Sequence, residues 1–196
     1  MPRGASGLSM AAGLVLIGIG PGGIGGMTRD AISAARDADF RRYEAYTALW
    51  SQDDLESLEG EIGKIRKVMR PEVEDPVELL SLAKTHCVAL LVVGDPLQAT
   101  THVDLQLQAL EAGVHCTVIH GVAITSLVTG AVGLSNYRFG RQTTLTYPYG
   151  GWIATSPLEV IAVNRIQGLH TLALLDLDPT GEGVGGQKPM QPKDAA

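Results

Sequence analysis

Six consecutive apolar residues, Val88 to Val93, are followed directly by Gly94, Asp95 and Pro96. An apolar run of this length predicts a strand that is buried on both faces, as in a parallel sheet covered by helices. Gly94 allows a sharp turn, and Pro96 ends the strand. Asp95 is therefore expected at the carboxyl end of a buried strand, where open α/β sheets bind ligands. The spacing alone fits a plain connection to the next helix equally well.

Predicted strands and helices alternate along most of the chain. The predicted strands span residues 14–19, 40–46, 64–68, 88–93, 116–120, 142–147 and 170–177, and the predicted helices span 28–37, 51–60, 75–85, 101–113, 123–132 and 156–168. One helix is expected to begin at Asp75, which precedes a proline and then a glutamate at the third position. This alternation is typical of an α/β fold with mostly parallel strand pairing.

The charge of the chain argues against two classes of partner. The sequence has 196 residues and a formal net charge of −6, which disfavours a nucleic acid or an anionic membrane surface held by charge. The apolar run from Leu14 to Ile19 is far too short to span a bilayer. The two cysteines, Cys87 and Cys116, lack metal-site spacing and suit a reducing compartment. We therefore expect a cytoplasmic protein with neither a nucleic-acid nor a membrane partner.

A glycine-rich segment follows the first predicted strand. Gly18, Gly20 and Gly23 fit the pattern Gly-x-Gly-x-x-Gly, and Glu44 lies about 21 residues further on, near where a ribose-binding carboxylate stands in dinucleotide sites. A nicotinamide-dependent oxidoreductase is therefore one alternative. In a dinucleotide site the helix begins within the glycine pattern, whereas here Pro21 and the glycines around it delay the helix. The segment favours instead a loop whose backbone a ligand can approach.

The histidines give no catalytic or metal site by spacing. His102, His120 and His170 fall at or near the ends of predicted elements, but carboxylate and sulfur companions at ligand spacing are missing. We predict no metal site and assign no catalytic residue. His102 is expected to form a hydrogen bond into the loop that follows Asp95.

Several stretches resemble the diphthine synthase family of methyltransferases, within the wider tetrapyrrole-methylase class. They are 17–20, 44–47, 94–96 with 99–102, 133–134 with 137–140, 168–172 with 174–176, and 147–156, the last similar to the archaeal form. Their order and spacing match the family from Leu14 to about Leu177. The Gly-Asp-Pro segment followed by Ala-Thr-Thr-His is more specific than the glycine-rich opening.

The resemblance implies a tetrapyrrole-methylase-like fold with two α/β domains and a cleft between them, usually as a homodimer. On this basis we expect a loose leader at 1–12, an N-terminal α/β domain at 13–117 and a partial C-terminal α/β domain at 118–178. Residues 179–196 hold four glycines and three prolines and are expected to form a flexible tail. Because the family continues at this point, the second domain is expected to be incomplete.

The resemblance also implies S-adenosylmethionine as the cofactor and translation elongation factor 2 as the protein substrate. The reaction would methylate the amine of the modified histidine of that factor and form diphthine. The expected cofactor contacts are Pro21, Asp95, Gln98, Ala123, Ile124 and Leu175. Asp95 is the one charged residue among them and is expected to bind a polar group of the methyl donor. A remnant that binds without turnover is the other alternative.

Overall fold

A computed structural model of the chain describes residues 11–148, 151–177 and 187–195. Most of the predicted leader, residues 1–10, lies outside these ranges, as do residues 179–186 and 196 of the predicted tail. The chain forms two compact units that divide between Ala123 and Ile124. The domain boundary predicted from the sequence, after residue 117, falls inside a strand that belongs to the first unit (Cys116–Ile119). The first unit therefore extends beyond the predicted boundary, to Ala123.

The first unit is built on a five-stranded sheet. Its strands are β1 (Gly13–Gly18), β2 (Phe40–Glu44), β3 (Ile65–Val68), β4 (Cys87–Val92) and β5 (Cys116–Ile119), in the order β3-β2-β4-β1-β5. All four pairings are parallel, and Leu16 of β1 lies beside Leu90 of β4. Every residue of β1 and of β4 is buried. The prediction of a parallel α/β sheet around a doubly buried strand is confirmed.

Five helices cover this sheet. They are α1 (Arg29–Asp37), α2 (Gln52–Ile62), α3 (Arg70–Glu74), α4 (Val77–Ala83) and α5 (His102–Glu111). Two of them begin at hydroxyl caps: the side chain of Thr28 accepts a hydrogen bond from the amide of Ala31 (3.1 Å), and that of Ser51 accepts one from the amide of Asp54 (3.1 Å). Small residues of α1, such as Ala31 and Ala35, are buried against the sheet. These caps explain why both helices begin where the sequence predicts.

The predicted helix start at Asp75 is wrong. A separate short helix, α3, precedes it and begins where Glu72 accepts a hydrogen bond from the amide of Met69 (2.9 Å). Asp75 ends that helix, because its amide donates to the carbonyl of Pro71 (3.0 Å). Pro76 then occupies the cap position of α4 and makes no side-chain hydrogen bond. The pattern Asp-Pro-x-Glu therefore marks a junction between two helices.

In the residues that the structure describes, the second unit contains a two-stranded parallel sheet, two α-helices and one short 3-10 helix (Asn136–Arg138). The strands are β6 (Thr143–Leu145) and β7 (Ala173–Leu175), and the helices are α6 (Ile124–Ala131) and α7 (Ser156–Ile166). Buried Asn164 of α7 links the segments around it, since its amide nitrogen donates to the carbonyl of Arg141 and to the hydroxyl of Thr171, both at 2.8 Å. The strand predicted over 170–177 is shorter, and His170 instead forms an isolated bridge with Phe139.

Among the residues that the structure describes, none of the helices is both long enough and apolar enough to cross a membrane.

Candidate functional site

The order of the strands points to the carboxyl ends of β1 and β4. From β1 the chain passes over β4 to reach β2, whereas from β4 it passes over β1 to reach β5. The two crossovers run in opposite directions, and right-handed crossovers then place α1 and α5 on opposite faces of the sheet. Neighbouring strands whose connections lie on opposite faces of the sheet form a switch point, where open α/β sheets bind ligands.

Four glycines bring the loops after β1, β4 and β5 into backbone contact at this edge. We call Gly18, Gly20, Gly94 and Gly121 the glycine junction. Gly20 and Gly94 exchange two hydrogen bonds, from the Gly20 amide to the Gly94 carbonyl (3.1 Å) and from the Gly94 amide to the Gly20 carbonyl (2.8 Å). A Cβ on Gly121 would lie 2.2 Å from the carbonyl oxygen of Gly94, and a Cβ on Gly18 would lie 2.4 Å from the amide nitrogen of Gly121. Only glycine permits such an approach.

Asp95 connects two of these loops through its side chain. Its carboxylate is buried, and Oδ1 accepts a hydrogen bond from the amide of Leu97 (2.8 Å). Oδ2 lies 2.8 Å from Nδ1 of His120 and accepts a hydrogen bond from the amide of Gly121 (3.2 Å). A carboxylate has about four acceptor positions, and the contacts within the described part of the chain use three of them. The side chain thus holds the loop after β4 against the end of β5.

The loop after β4 contains strained backbone. Ala99 has a φ of 57° and is the one non-glycine residue with positive φ in the described part of the chain. This left-handed conformation costs a residue with a Cβ roughly 1–2 kcal/mol. Strain of this kind is concentrated at functional loops, and Gln98, beside Ala99, is one of the predicted cofactor residues.

We expect Ala99→Gly to raise the free energy of unfolding by about 1 kcal/mol, because glycine adopts positive φ without a steric penalty. Urea denaturation monitored by circular dichroism measures the change. The matched control is Ala112→Gly at the end of α5, where φ is −77° and glycine should lower stability. Equal effects at both positions would show that the backbone at residue 99 is not strained.

Four of the six predicted cofactor residues lie at the junction in the first unit. Exposed Pro21 follows Gly20, and Gln98 donates its amide hydrogen to the carbonyl of Asp95 (3.2 Å). Ala123 is buried, with its Cα 3.7 Å from the position that a Cβ on Gly94 would take. The other two residues belong to the second unit, where Ile124 begins α6 and Leu175 ends β7.

Glu44 is placed where it cannot serve a ribose. It is buried at the end of β2, where Oε1 accepts a hydrogen bond from the amide of Thr47 (2.8 Å) and Oε2 lies 3.5 Å from Nε2 of His102. Burial raises the pKa of the Glu44 carboxyl, partly offset by its hydrogen bond with Thr47 and by His102. The start of α1 is likewise occupied by its own Thr28 cap. The geometry therefore does not favour the oxidoreductase alternative.

His102 lies as the sequence predicts. Its Nδ1 is 3.1 Å from the carbonyl oxygen of Pro96, in the loop after Asp95. Since a carbonyl only accepts, Nδ1 carries the hydrogen and Nε2 faces Glu44. Within the described residues, no three His, Cys, Asp or Glu side chains are grouped so that they could hold a metal ion.

Sequence reasoning missed one residue of this edge, Trp50, and one contact, between His120 and Asp95. His120 was predicted to lie near the end of a strand, but its hydrogen bond with Asp95 was not predicted. Trp50 is buried, and its indole Nε1 donates to the carbonyl of Gly20 (3.1 Å) while its amide donates to the hydroxyl of Tyr43 (2.9 Å). Burial raises the pKa of Tyr43 to about 12, so this hydroxyl stays neutral. No local pattern pointed to Trp50, because its partner lies 30 residues away.

The three loops at this edge carry a single formal charge. Residues 19–28, 93–101 and 120–123 contain neither lysine nor arginine, and Asp95 is their one acidic residue. Such an edge offers backbone groups and one carboxylate. It suits a ligand with positive charge better than one with several phosphates.

Comparison with known proteins identifies the family. A sequence model described as Tetrapyrrole (Corrin/Porphyrin) Methylases matches residues 13–180. The chain is 39% identical over 166 residues to a diphthine synthase of Methanoregula boonei, covering 84% of this chain and 66% of that protein. It is 35% identical over 166 residues to a diphthine synthase of Methanospirillum hungatei, with the same two coverages, 84% and 66%.

A crystal structure of diphthine synthase is similar in both fold and sequence. The TM-score is 0.75 and the identity 35%, over 85% of this chain and 65% of that chain. The chain thus spans just under two thirds of the lengths of these relatives. The family model covers most of the sequence, and the parallel sheet with its glycine junction lies inside the matched region. The chain therefore belongs to the tetrapyrrole (corrin/porphyrin) methylase family.

Proposed function

We propose that the protein is an S-adenosylmethionine-dependent methyltransferase that methylates the amine of the modified histidine of translation elongation factor 2, forming diphthine. The observation that carries this proposal is the glycine junction, where buried Asp95 supplies the single formal charge of three loops. An acidic, otherwise uncharged edge suits a ligand whose reacting centre is a sulfonium cation. The similarity to proteins named diphthine synthase supports the choice of substrate.

The residues of the first unit fit the polar and apolar parts of such a donor. Backbone is accessible in the loop after β1, since a Cβ on Gly22 or on Gly25 would meet no atom within 4 Å. The free acceptor position of Asp95 would bind a hydroxyl or ammonium group. Pro21, Gln98 and Ala123 would bind through shape and backbone groups.

The protein's part in the reaction is mainly to hold the two reactants in position. The bound donor supplies a methyl group that is already activated on sulfur. Loops fixed by the glycine junction would hold the reacting atoms in line, and correct orientation accounts for a large share of the barrier in such transfers.

We place the enzyme in the cytoplasm, where it would act as a homodimer. Cys87 and Cys116 are both free thiols, as expected in a reducing compartment. Burial raises the pKa of each thiol, which keeps it in the unreactive protonated form. The homodimer follows from the resemblance to the family, and sedimentation velocity of the purified chain tests it.

Calorimetric titration with S-adenosylmethionine, and separately with NADH, tests the donor. We expect micromolar binding of S-adenosylmethionine and a loss of affinity of about tenfold or more, or about 1.4 kcal/mol, for Asp95→Ala. The matched control is Asp104→Ala, because Asp104 is an exposed aspartate whose side chain accepts only from Gln108 of its own helix in the described contacts. Asp95→Asn, which retains oxygen for the Leu97 amide, distinguishes loss of charge from loss of fold.

Other results of these titrations, and of an assay for methyl transfer, would favour a different function. Binding of NADH alone would reject the methyltransferase in favour of the oxidoreductase. Binding of S-adenosylmethionine without methyl transfer to elongation factor 2 would leave a protein that binds and does not catalyse. Transfer of radiolabelled methyl groups to the unmethylated factor would support the full proposal.

A further inference from the structure

His120 differs from the other histidines of the first unit in its surroundings. It follows β5 directly, at the carboxyl edge of the sheet, and its side chain is 69% exposed although its Nδ1 lies 2.8 Å from Oδ2 of buried Asp95. His102 is buried and has both ring nitrogens against protein atoms. His86 and His115 precede β4 and β5, at the opposite edge.

The contact with Asp95 determines which nitrogen of His120 is available. A carboxylate only accepts hydrogen bonds, so Nδ1 of His120 donates and carries the hydrogen. In the neutral ring, Nε2 then has a free lone pair on an exposed side chain. The carboxylate is itself fixed by the amides of Leu97 and Gly121. An exposed imidazole oriented by a buried, anchored carboxylate is the arrangement that active sites use for a general base.

We propose that His120 is the general base of the methyl transfer, with Asp95 as the positioning residue that orients its ring. This inference rests on the proposed function, because it concerns the amine that the enzyme methylates. Such an amine is mostly protonated near neutral pH, since the ordinary pKa is about 8 for the α-amino group of a polypeptide and about 10.4 for the amine of lysine. Its lone pair is then unavailable, so a proton must leave before each methyl group is transferred.

The step balances in protons and electrons. Nε2 of His120 takes a proton from the substrate ammonium, so that an N–H bond breaks and an Nε2–H bond forms. The freed lone pair of the amine forms a bond to the methyl carbon, and the carbon–sulfur bond breaks with its electron pair left on sulfur. The imidazolium, stabilised by Asp95, returns its proton to solvent before the next transfer. A trimethylated product has no proton left to lose and ends the sequence.

The charged groups around His120 are few. Asp95 is the ionisable group that contacts it, and the loops after β1 and β4 add no other formal charge. The pair Glu44 and His102 contacts the loop after β4 at Pro96, through the ring of His102.

The test is the pH profile of methyl transfer by His120→Asn. The asparagine amide nitrogen can keep the hydrogen bond to Asp95, while the position of Nε2 is lost. We expect kcat/KM to fall about 100-fold near pH 7, within the usual range for a general base. We expect recovery to within about threefold near pH 9.5, because a much larger share of the substrate amine is then deprotonated in solution. Affinity for S-adenosylmethionine should stay within about twofold of the parent, which is an activity-independent check on the site.

The outcomes separate the general base from the proposed function. Equal activity of parent and His120→Asn at all pH values would overturn the role of His120 and leave the methyltransferase intact. A loss of the same size at every pH would also overturn it, since a purely positional defect does not depend on substrate protonation. Absence of turnover by the parent chain would reject both proposals. His120→Gln serves as a second variant if the first does not fold, and His115→Asn, on an exposed histidine at the other end of β5, is the control.

Discussion

Replacing Gly121 with alanine is expected to lower the free energy of unfolding by about 3 kcal/mol, at the upper end of the usual cost of overpacking. The added Cβ would lie 2.2 Å from the carbonyl oxygen of Gly94 and 2.7 Å from the carbonyl carbon of Gly18. Both neighbours are backbone atoms, so no side-chain rotation can relieve the overlap. The strands must separate, and the hydrogen bond from the Gly121 amide to Asp95 is then lost. Urea denaturation measures the stability, and titration with S-adenosylmethionine should show binding abolished.

Gly22→Ala is the matched control for this substitution. Gly22 lies in the loop after β1, and a Cβ there would meet no atom within 4 Å. We expect a change of less than about 0.5 kcal/mol, as for most surface substitutions. If Gly121→Ala were as stable as Gly22→Ala, the three loops would not meet as closely as the structure places them.

Glu44→Ala is expected to destabilise the protein by about 3 kcal/mol, the usual cost of removing one partner of a buried pair. The carboxylate of Glu44 accepts from the amide of Thr47 (2.8 Å) and lies 3.5 Å from Nε2 of His102. His102 is buried and would lose this neighbour without reaching water. The loop after β4 should loosen as well, because His102 contacts it at Pro96. Denaturant titration gives the change in stability.

Glu44→Gln is expected to change how stability depends on pH. Burial raises the pKa of Glu44, so the folded state binds the proton more tightly than the unfolded state does. The stabilising contribution is then fully present below the ordinary glutamate pKa of about 4.3 and is lost as pH rises through the raised value. Glutamine cannot titrate, so the stability of the variant should decline less over this interval. Its oxygen can still accept from Thr47.

Unfolding curves of the parent and of Glu44→Gln at several pH values from about 4 upward test this sign. Glu56→Gln is the control, because Glu56 is exposed on α2 and its carboxylate accepts from Gln52 of the same helix. Parallel pH profiles for the parent and Glu44→Gln would contradict a raised pKa at Glu44.

The sequence predicts the elements whose signal is local. The apolar run ending at Val93 specifies a doubly buried strand because burial on both faces leaves no place for polar side chains. The hydroxyl residues Thr28 and Ser51 mark helix starts because their side chains bond amides three residues away. The position of Asp95 at the sheet edge is predicted by its neighbours in the sequence, because it directly follows the apolar run and Gly94 and precedes Pro96.

Features that depend on contacts between residues far apart in the sequence could not be predicted from local sequence patterns. The Gly18–Gly121 approach joins segments about 100 residues apart, and sequence spacing carries no information on which loops meet. Glu44 matched a ribose carboxylate by spacing, yet its neighbour is His102, which β4 and its loop bring against the end of β2. His120 was noticed as a strand-end histidine, but its significance depends on a carboxylate 25 residues earlier.

The paired hydrogen bonds between Gly20 and Gly94 restrict how far the loops after β1 and β4 can move apart. Loops at the edge of a sheet usually open with little free energy, because they make few buried contacts. Here the two loops extend the hydrogen-bonded network of β1 and β4 past the ends of the strands. Moving these loops apart must break both hydrogen bonds, each of which contributes about 0.5–1.5 kcal/mol. The backbone is thus ordered before a ligand arrives, and binding avoids the entropy loss of ordering a flexible loop.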